Sequence, residues 1–503
     1  MDPWVSPKGA FKSAWFQFPT NHFYFTELKQ QISEIQTFIY ISHEHKDHFD
    51  KHFLEAIVEC QPTIVIPKFS SNDFYEEISE LSFKNIIQLK ESEKFLIPNS
   101  ELSIKLFLDD TQLNRDSAIF VSNGKFNFLN LNDCKIFDRL HSIKSEENHI
   151  NAFSTQFSGA TWHPVCYSYD TSQYSKISKK KKKSKFLNVL KAIQALSPDL
   201  FLPSAGPACF IDPNLINIHY QEENIFPFAY ELLDFLKEKK LTNCKALDIV
   251  PKDVICLKQL DYLQKESIRY LDKKTCTQHI EFLANKYKNI FNRKTDLKQD
   301  TIKYYYDLLK IDSAKKLNNF NVRDNYDINI YFTIEEYDLS HIELNLKENS
   351  VNDVKEVPDD QIYHLSFSIY DIKDVLDKKM TWEDFSLTFR VNIKRKPDKY
   401  DTLINGFFFS EHNNIEELIH KITNFRNNKE RIVIECAGSQ YEIDRYCPHQ
   451  GADLKYGFSC EKNGAHWVCP RHAWEFDLEN GGQSIQSSDS IHSVRCISFE
   501  AES

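Results

Sequence analysis

Two short stretches of this chain gather side chains that bind metals. In one, Cys447-Pro448-His449 is followed, after nineteen residues, by Cys469-Pro470-Arg471-His472. Each half offers one thiol and one imidazole, so two tight loops could close over a small metal centre. Zinc accepts a Cys₂His₂ set, but zinc fingers usually group cysteine with cysteine and histidine with histidine. One of each per loop suits instead a [2Fe–2S] cluster in which one iron takes two thiolates and the other two imidazoles. Neutral imidazoles lessen the negative charge and raise the potential, which favours passing single electrons to an oxygen-activating metal. In the other stretch, Ser42-His43-Glu44-His45-Lys46-Asp47-His48 follows the apolar run Thr37–Ile41. Three imidazoles and a carboxylate on one loop are costly to bury without a metal. His43 and His45 can reach one ion, while Asp47 and His48 turn toward a second.

The elements that must position these residues fall into three segments. Residues 1–240 alternate strands and helices: a strand over Thr37–Ile41, a helix over Lys51–Glu59, a strand over Thr63–Ile66 and another over Phe126–Leu131. That alternation predicts an α/β layered domain. Residues 241–412 read as an α+β accessory domain. Helices are expected over Thr277–Phe291 and Thr301–Leu309, strands over Ile328–Thr333, His341–Leu346 and Ser386–Ile393, with a short helix near Ile372–Leu376. Residues 413–503 form a small β domain opened by a hairpin around Ala437-Gly438-Ser439. The five lysines Lys179–Lys183 are expected to be a solvated helix face.

Composition narrows the class. The chain has 503 residues, 41% hydrophobic and 27% charged, a balance that excludes a mainly disordered protein and implies several cores. The net charge of −11 argues against a nucleic-acid surface, and no apolar stretch is long enough to span a membrane. No basic stretch followed by an apolar one is found at Met1-Asp2-Pro3-Trp4, so no secretory leader is read and a cytoplasmic location is expected. Twelve cysteines are too few for a disulfide scaffold of this size. Most, such as Cys60, Cys244 and Cys276, should be small buried hydrophobes.

The flanks of the first motif, Cys447–Leu454 and Cys469–Asp477, closely resemble Rieske ferredoxins and oxygenase Rieske domains. Ala452 and Arg471 stand where respiratory-chain Rieske proteins carry an extra disulfide, so the resemblance is to the soluble, oxygenase type. The H-x-H-x-D-H loop resembles the metallo-β-lactamase superfamily, which implies a four-layer αββα sandwich holding one or two metals. It further implies Asp133, ending the strand Phe126–Leu131, as a bridging carboxylate. Gln112 falls where many members carry a histidine, with Asp109 or Asp110 able to compensate. Pro203–Pro207 marks the last metal-site loop but has no histidine, leaving His163, Asp212 and His219 as candidate replacements. His141 and His149 are expected at the surface.

Together the two domains resemble the CMP-N-acetylneuraminate hydroxylases and their bacterial relatives. Asp2-Pro3-Trp4, Ile39–His43, Leu129–Cys134, Phe157-Ser158-Gly159 and Ala205-Gly206 all look like that family's landmarks. The vertebrate hydroxylase carries its Rieske domain first, whereas here it comes last, and the family has a β-hairpin upstream of the Asp2 segment. The resemblance implies an O₂-dependent monooxygenase. Cys447, His449, Cys469 and His472 would hold the cluster, and His43, His45, Asp47, His48 and Asp133 one or two non-haem irons. Asp47 and Asp133 would take the catalytic roles. An electron donor (a reductase, ferredoxin or cytochrome b5-like carrier) and a polar, anionic small-molecule substrate such as a nucleotide sugar are implied. Zinc or manganese at the first site would suit a hydrolase instead, with the cluster as a redox sensor. A degenerate first site would leave an electron-transfer protein without catalysis.

Overall fold

The computed structural model describes residues 1–110, 115–159, 161–241, 243–291, 297–460 and 464–496. The chain divides into two compact units. The first holds most of residues 1–292, and the second holds residues 162–169 together with the described chain beyond 296.

In the first unit a parallel sheet is built from β1 (Phe38–Tyr40), β2 (Thr63–Pro67) and β3 (Ile86–Leu89). A second sheet of seven strands runs β10-β9-β8-β7-β6-β5-β4, where β4 is Phe95–Leu96, β5 Ser103–Asp110, β6 Arg115–Ser122, β7 Asn127–Asn130, β8 Ala152–Gln156, β9 Leu200–Ser204 and β10 Lys245–Ala246. Strands β4 to β7 pair antiparallel and β7 to β10 parallel.

The period-2 alternation of each strand assigns its two faces to two cores. Ile39, Ile41, Ile64 and Ile66 pack on helices α1 (Phe25–Glu34), α2 (Lys51–Ile57) and α3 (Asp73–Ser79). Their neighbours Tyr40 and Val65 turn the other way, onto Ile104, Leu106 and Ile119 of the larger sheet. The far face of that sheet, with Phe107, Phe120, Phe153 and Phe201, packs on α4 (Leu140–Glu147), α5 (Thr171–Leu196) and α6 (Ala229–Glu238). Helix, sheet, sheet, helix is the αββα sandwich expected from the His-rich loop over Ser42–His48.

The strands expected in this unit and the helix over Lys51–Glu59 appear within a residue or two at their ends, while the helix expected over Thr277–Phe291 is shifted toward the N-terminus, over Lys273–Tyr287, with the short turn Lys288–Phe291 after it. The lysine run lies on α5, where Lys182 pairs with Glu223 and Glu231 and Lys179 with Glu223. Asp50 ties the N-terminal segment down. Its carboxylate caps α2 through Phe53 N–H and also accepts from Val5 and Ser6 N–H at 3.0 and 2.7 Å.

In the second unit a five-stranded sheet orders its strands Ser350–Val354, His341–Asn345, Asn329–Ile334, Ile362–Phe367 and Asn392–Lys396. Tyr167 adds a parallel bridge to Ile393, so residues 162–169 extend the sheet's edge. The strand expected over Ser386–Ile393 begins only at Asn392, and its first part is helix Trp382–Leu387. Thr381 explains this, because its hydroxyl accepts the Asp384 N–H at 3.0 Å and starts a helix that Glu383 and Asp384 favour. The helix expected over Thr301–Leu309 runs further, over Gln299–Asn319. Beyond it two small antiparallel sheets carry the cysteine–histidine loops. One contains the expected hairpin, Arg431–Cys436 paired with Ser439–Asp444. Among the described residues no helix is long and apolar enough to cross a membrane, and no disulfide joins any two cysteines.

Candidate metal and cluster sites

In the first unit the His-rich loop leaves the end of β1 and turns sharply, with His48 and Phe49 N–H both donating to the His45 carbonyl. The strand end is laced to its surroundings. Asp2 accepts from Ser42 N–H and Oγ at 2.7 and 2.8 Å, and Ser117 Oγ on β6 donates to the Ser42 carbonyl at 2.8 Å. The Tyr40 hydroxyl, facing the larger sheet, donates to the Ser117 carbonyl at 2.9 Å.

Three imidazoles then converge. The His43 ring lies 4.4 Å from His45 and 4.3 Å from His48, centre to centre, and His43 Nε2 meets His45 Nδ1 at 2.8 Å. His48 Nε2 stands 3.6 Å from both Asp47 Oδ2 and Asp133 Oδ1. Four of the predicted residues, His43, His45, His48 and Asp47, therefore share one cup with the fifth, Asp133, which follows β7; His43 and His48 are buried in it and the others partly so.

The far nitrogens matter as much. His43 Nδ1 faces Asp116 Oδ1 at 3.3 Å, and His48 Nδ1 faces Asp2 Oδ2 at 3.0 Å. Both imidazoles thus rest Nδ1 on a carboxylate and turn Nε2 into the cup, the orientation that ligating histidines take from their outer partners. Asp116 has no counterpart in the sequence reading. Its only local feature is an acid two residues before the apolar run Ala118–Val121, which says nothing of an imidazole partner. Asp2 was singled out, but as a landmark and not as an imidazole partner.

The electrostatics are those of a site short of positive charge. Burial, and then Asp133, pushes the Asp116 carboxyl well above the usual range, and burial raises Asp47 despite His48. Burial lowers His43 strongly. Burial also works against the charged form of His48, but Asp47, Asp133 and Asp2 outweigh it and hold that imidazole well above its ordinary value. Asp133 is net lowered, with His48 overcoming the effect of burial. A bound cation would relieve the repulsion among these carboxylates, so the donor set fits a metal in its chemistry. Among the described residues, however, no group of three or more His, Cys, Asp and Glu side chains is arranged to hold an ion as it stands. The donors meet one another in pairs, and a metal would take the place of those contacts.

The other candidates fall elsewhere. Gln112 lies outside the described residues. Asp212 is buried and accepts the Asn214 N–H in a turn. His219 Nε2 accepts the Phe210 N–H at 2.9 Å between stacked aromatic rings. His163 belongs to the second unit, where it meets the Tyr169 hydroxyl at 2.8 Å.

In the second unit the two cysteine–histidine loops share one backbone pattern. Cys447 N–H donates to the Ala452 carbonyl and Gly451 N–H to the Cys447 carbonyl, both at 2.9 Å. Cys469 N–H donates to Trp474 at 2.7 Å and Ala473 N–H to Cys469 at 3.1 Å, the same spacing in both cases. The fifth residue of each loop takes a left-handed φ, 72° at Gly451 and 55° at Ala473, which glycine supplies without strain and alanine does not.

These twin turns bring the thiols together. Burial and then the neighbouring Cys469 push the Cys447 thiol well up, while N–H groups of His449 and Gln450 donate to it and pull it back. The His449 and His472 rings sit 4.7 Å apart. Trp474 stacks on His449 at 4.3 Å, and Tyr400 meets the same ring edge-on at 5.6 Å. Two adjacent thiols and two adjacent imidazoles fit a [2Fe–2S] cluster with mixed ligands.

Residues 415–496 match the Rieske [2Fe–2S] domain. Proteins of two Mycobacterium tuberculosis strains, described as Rieske 2Fe-2S iron-sulfur proteins, are 30% identical over 244 residues, 47% of this chain and 46% of theirs. A Mycolicibacterium smegmatis protein of the same description is 28% identical over the same length. The chain spans about half the length of the curated relatives it matches. Among solved structures, the diiron β-hydroxylase CmlA of Streptomyces venezuelae aligns with a TM-score of 0.30 at 12% identity, over 42% of this chain and 44% of that one. The metallo-β-lactamase fold protein YhfI of Bacillus subtilis aligns with a TM-score of 0.28 at 10% identity, over 44% and 79%. Scores this low carry no argument about function, and the four-layer arrangement rests on the packing described above.

Proposed function

We propose that this protein is an O₂-dependent monooxygenase in which the Rieske domain feeds electrons to a metal site held by His43, His45, Asp47, His48 and Asp133. The observation that carries this reading is the pair of imidazoles whose Nδ1 atoms face carboxylates, in a chain that also bears a Rieske domain. One or two irons bound there would supply oxygen activation and C–H hydroxylation, while the cluster supplies single electrons. The chain's own groups prepare that chemistry. With a cation bound, Asp116 and Asp2 would face the Nδ1 atoms of His43 and His48 as carboxylates and favour a proton there, which leaves each Nε2 free as a donor. Asp47 and Asp133 supply the anionic oxygens and, next to His48, a place to hold a proton.

By family resemblance the substrate is a polar anion such as a nucleotide sugar, the electron donor a reductase or small carrier, and the compartment the cytoplasm. The test is metal analysis with electron paramagnetic resonance on anaerobically purified, dithionite-reduced protein. About two cluster irons per chain with a Rieske signal, plus one or two further irons, is the expected result. Zinc at the first site, with substrate turnover in the absence of O₂ and reductant, would replace this reading with a hydrolase.

A further inference from the structure

Residues 415–496 match the Rieske domain, yet chain from outside that span reaches one of its cluster ligands. Tyr400 meets the His449 ring edge-on at 5.6 Å, and the Trp474 ring edge-on at the same distance. Trp474 in turn stacks on His449 at 4.3 Å, with the two planes 8° apart. One imidazole is therefore flanked by two aromatic rings, one from the Rieske domain and one from upstream of it.

The segment that carries Tyr400 is fixed on both sides. Toward the cluster loops, Tyr400 N–H donates to the Gln486 carbonyl at 2.9 Å, and Tyr400 bridges Ser487. Beside it, Lys399 Nζ donates to the Ile485 carbonyl at 3.3 Å. Gln486 Oε1 accepts the Glu475 N–H at 3.0 Å, so the same strip also holds the residue after Trp474. Away from the cluster loops, Asp401 caps the buried helix Thr402–Phe409, accepting from Leu403 and Ile404 N–H at 2.9 Å. The Tyr326 hydroxyl donates to the same carboxylate at 3.0 Å. Lys316 Nζ donates to the Phe408 carbonyl at 2.9 Å and secures the far end of that helix. All of these residues belong to the second unit.

We propose that Tyr400 shields His449 from water and thereby holds the cluster's reduction potential below the value it would have with that ligand solvated. This rests on the cluster of the reading above, and not on where its electrons go afterwards. The physical reason is charge. Reduction adds one electron, so the reduced cluster is the more negative form, and a water-poor surround disfavours it. A ring packed against the ligand imidazole displaces water that would otherwise solvate the added charge. Tyr400 acts through His449 and is a positioning residue.

The experiment takes the full chain with its cluster loaded and titrates it with redox mediators, following the electron paramagnetic resonance signal of the reduced form. Tyr400→Ala, Tyr400→Gln and Tyr400→Phe are compared with the wild type. Removing the ring should raise the midpoint by about 59 mV, a tenfold shift of the one-electron equilibrium. Tyr400→Phe keeps the ring and should stay at the wild-type value. Tyr400→Gln keeps much of the side chain's reach, which guards against a folding failure in Tyr400→Ala. A purely structural tyrosine would cost thermal stability and leave the potential where it is. An unmoved or lowered midpoint in the Ala and Gln variants overturns the proposal, and so does a Phe variant shifted as far as they are. A wild-type chain with no Rieske signal would remove the cluster itself, and the oxygenase reading with it.

Discussion

At the scale of single residues, the first site shows that ligand candidates and the groups that aim them differ in legibility. His43, His45, Asp47 and His48 sit within six positions of one another, and their spacing alone marks them. Asp116 reaches His43 from another sheet, and nothing in its neighbourhood of the sequence announces that contact. Replacing Asp116 by Asn should keep its size while weakening its hold on His43 Nδ1–H. Metal affinity at the first site should fall about 10- to 100-fold, by competition against a chelator, with the Rieske spectrum intact. Unchanged affinity would mean that Asp116 is buried for another reason.

At the scale of elements, turn chemistry was readable wherever it was local. The hairpin at Ala437-Gly438 places both turn residues at positive φ, 50° and 73°, as a tight two-residue connection between twisted strands requires. Gly438→Ala should therefore cost about 1 kcal/mol, and Ala437→Gly should recover a similar amount. Thermal unfolding followed through the cluster's visible absorbance would check both signs. The Ser386–Ile393 segment went the other way. Its apolar residues suit a strand, but Thr381 caps a helix and Phe389, at φ 59°, breaks the backbone before the strand begins at Asn392. A capping hydroxyl several residues upstream outweighed β propensity.

At the scale of the whole molecule, the buried His219 and the half-buried His279 and His364 should govern behaviour in acid. Burial pulls His219 down to about 3 and His279 and His364 to about 4. His219 and His279 each accept a backbone N–H through Nε2, and His364 faces Thr333 Oγ1 at 2.8 Å. In the unfolded chain these imidazoles take up a proton near pH 6.5, and in the folded chain they do not until far lower. The unfolded state binds more protons across that window, so stability is present above about pH 6.5 and is lost as pH falls toward 4. Each fully buried histidine can contribute a slope of up to about 1.4 kcal/mol per pH unit, and less for the part-exposed His279 and His364. Melting temperature measured from pH 7 to 4 should drop accordingly, and His219→Gln should flatten the curve in the first unit.

The sequence by itself determined the chemistry on offer. Two Cys–His loops and one His-rich loop are short-range patterns, and short-range patterns survive without knowledge of what packs against them. The α/β alternation of the first 240 residues was equally local, because the period of each strand and helix is written in its own side chains. Only the tertiary structure decided which nitrogen of each imidazole faces inward, since Asp2 and Asp116 arrive from the chain's start and from a second sheet. The tertiary structure also decided that Tyr400, outside the Rieske domain, would lie against His449. Contacts of that kind depend on layers closing over one another, and no residue's near neighbours in sequence encode them.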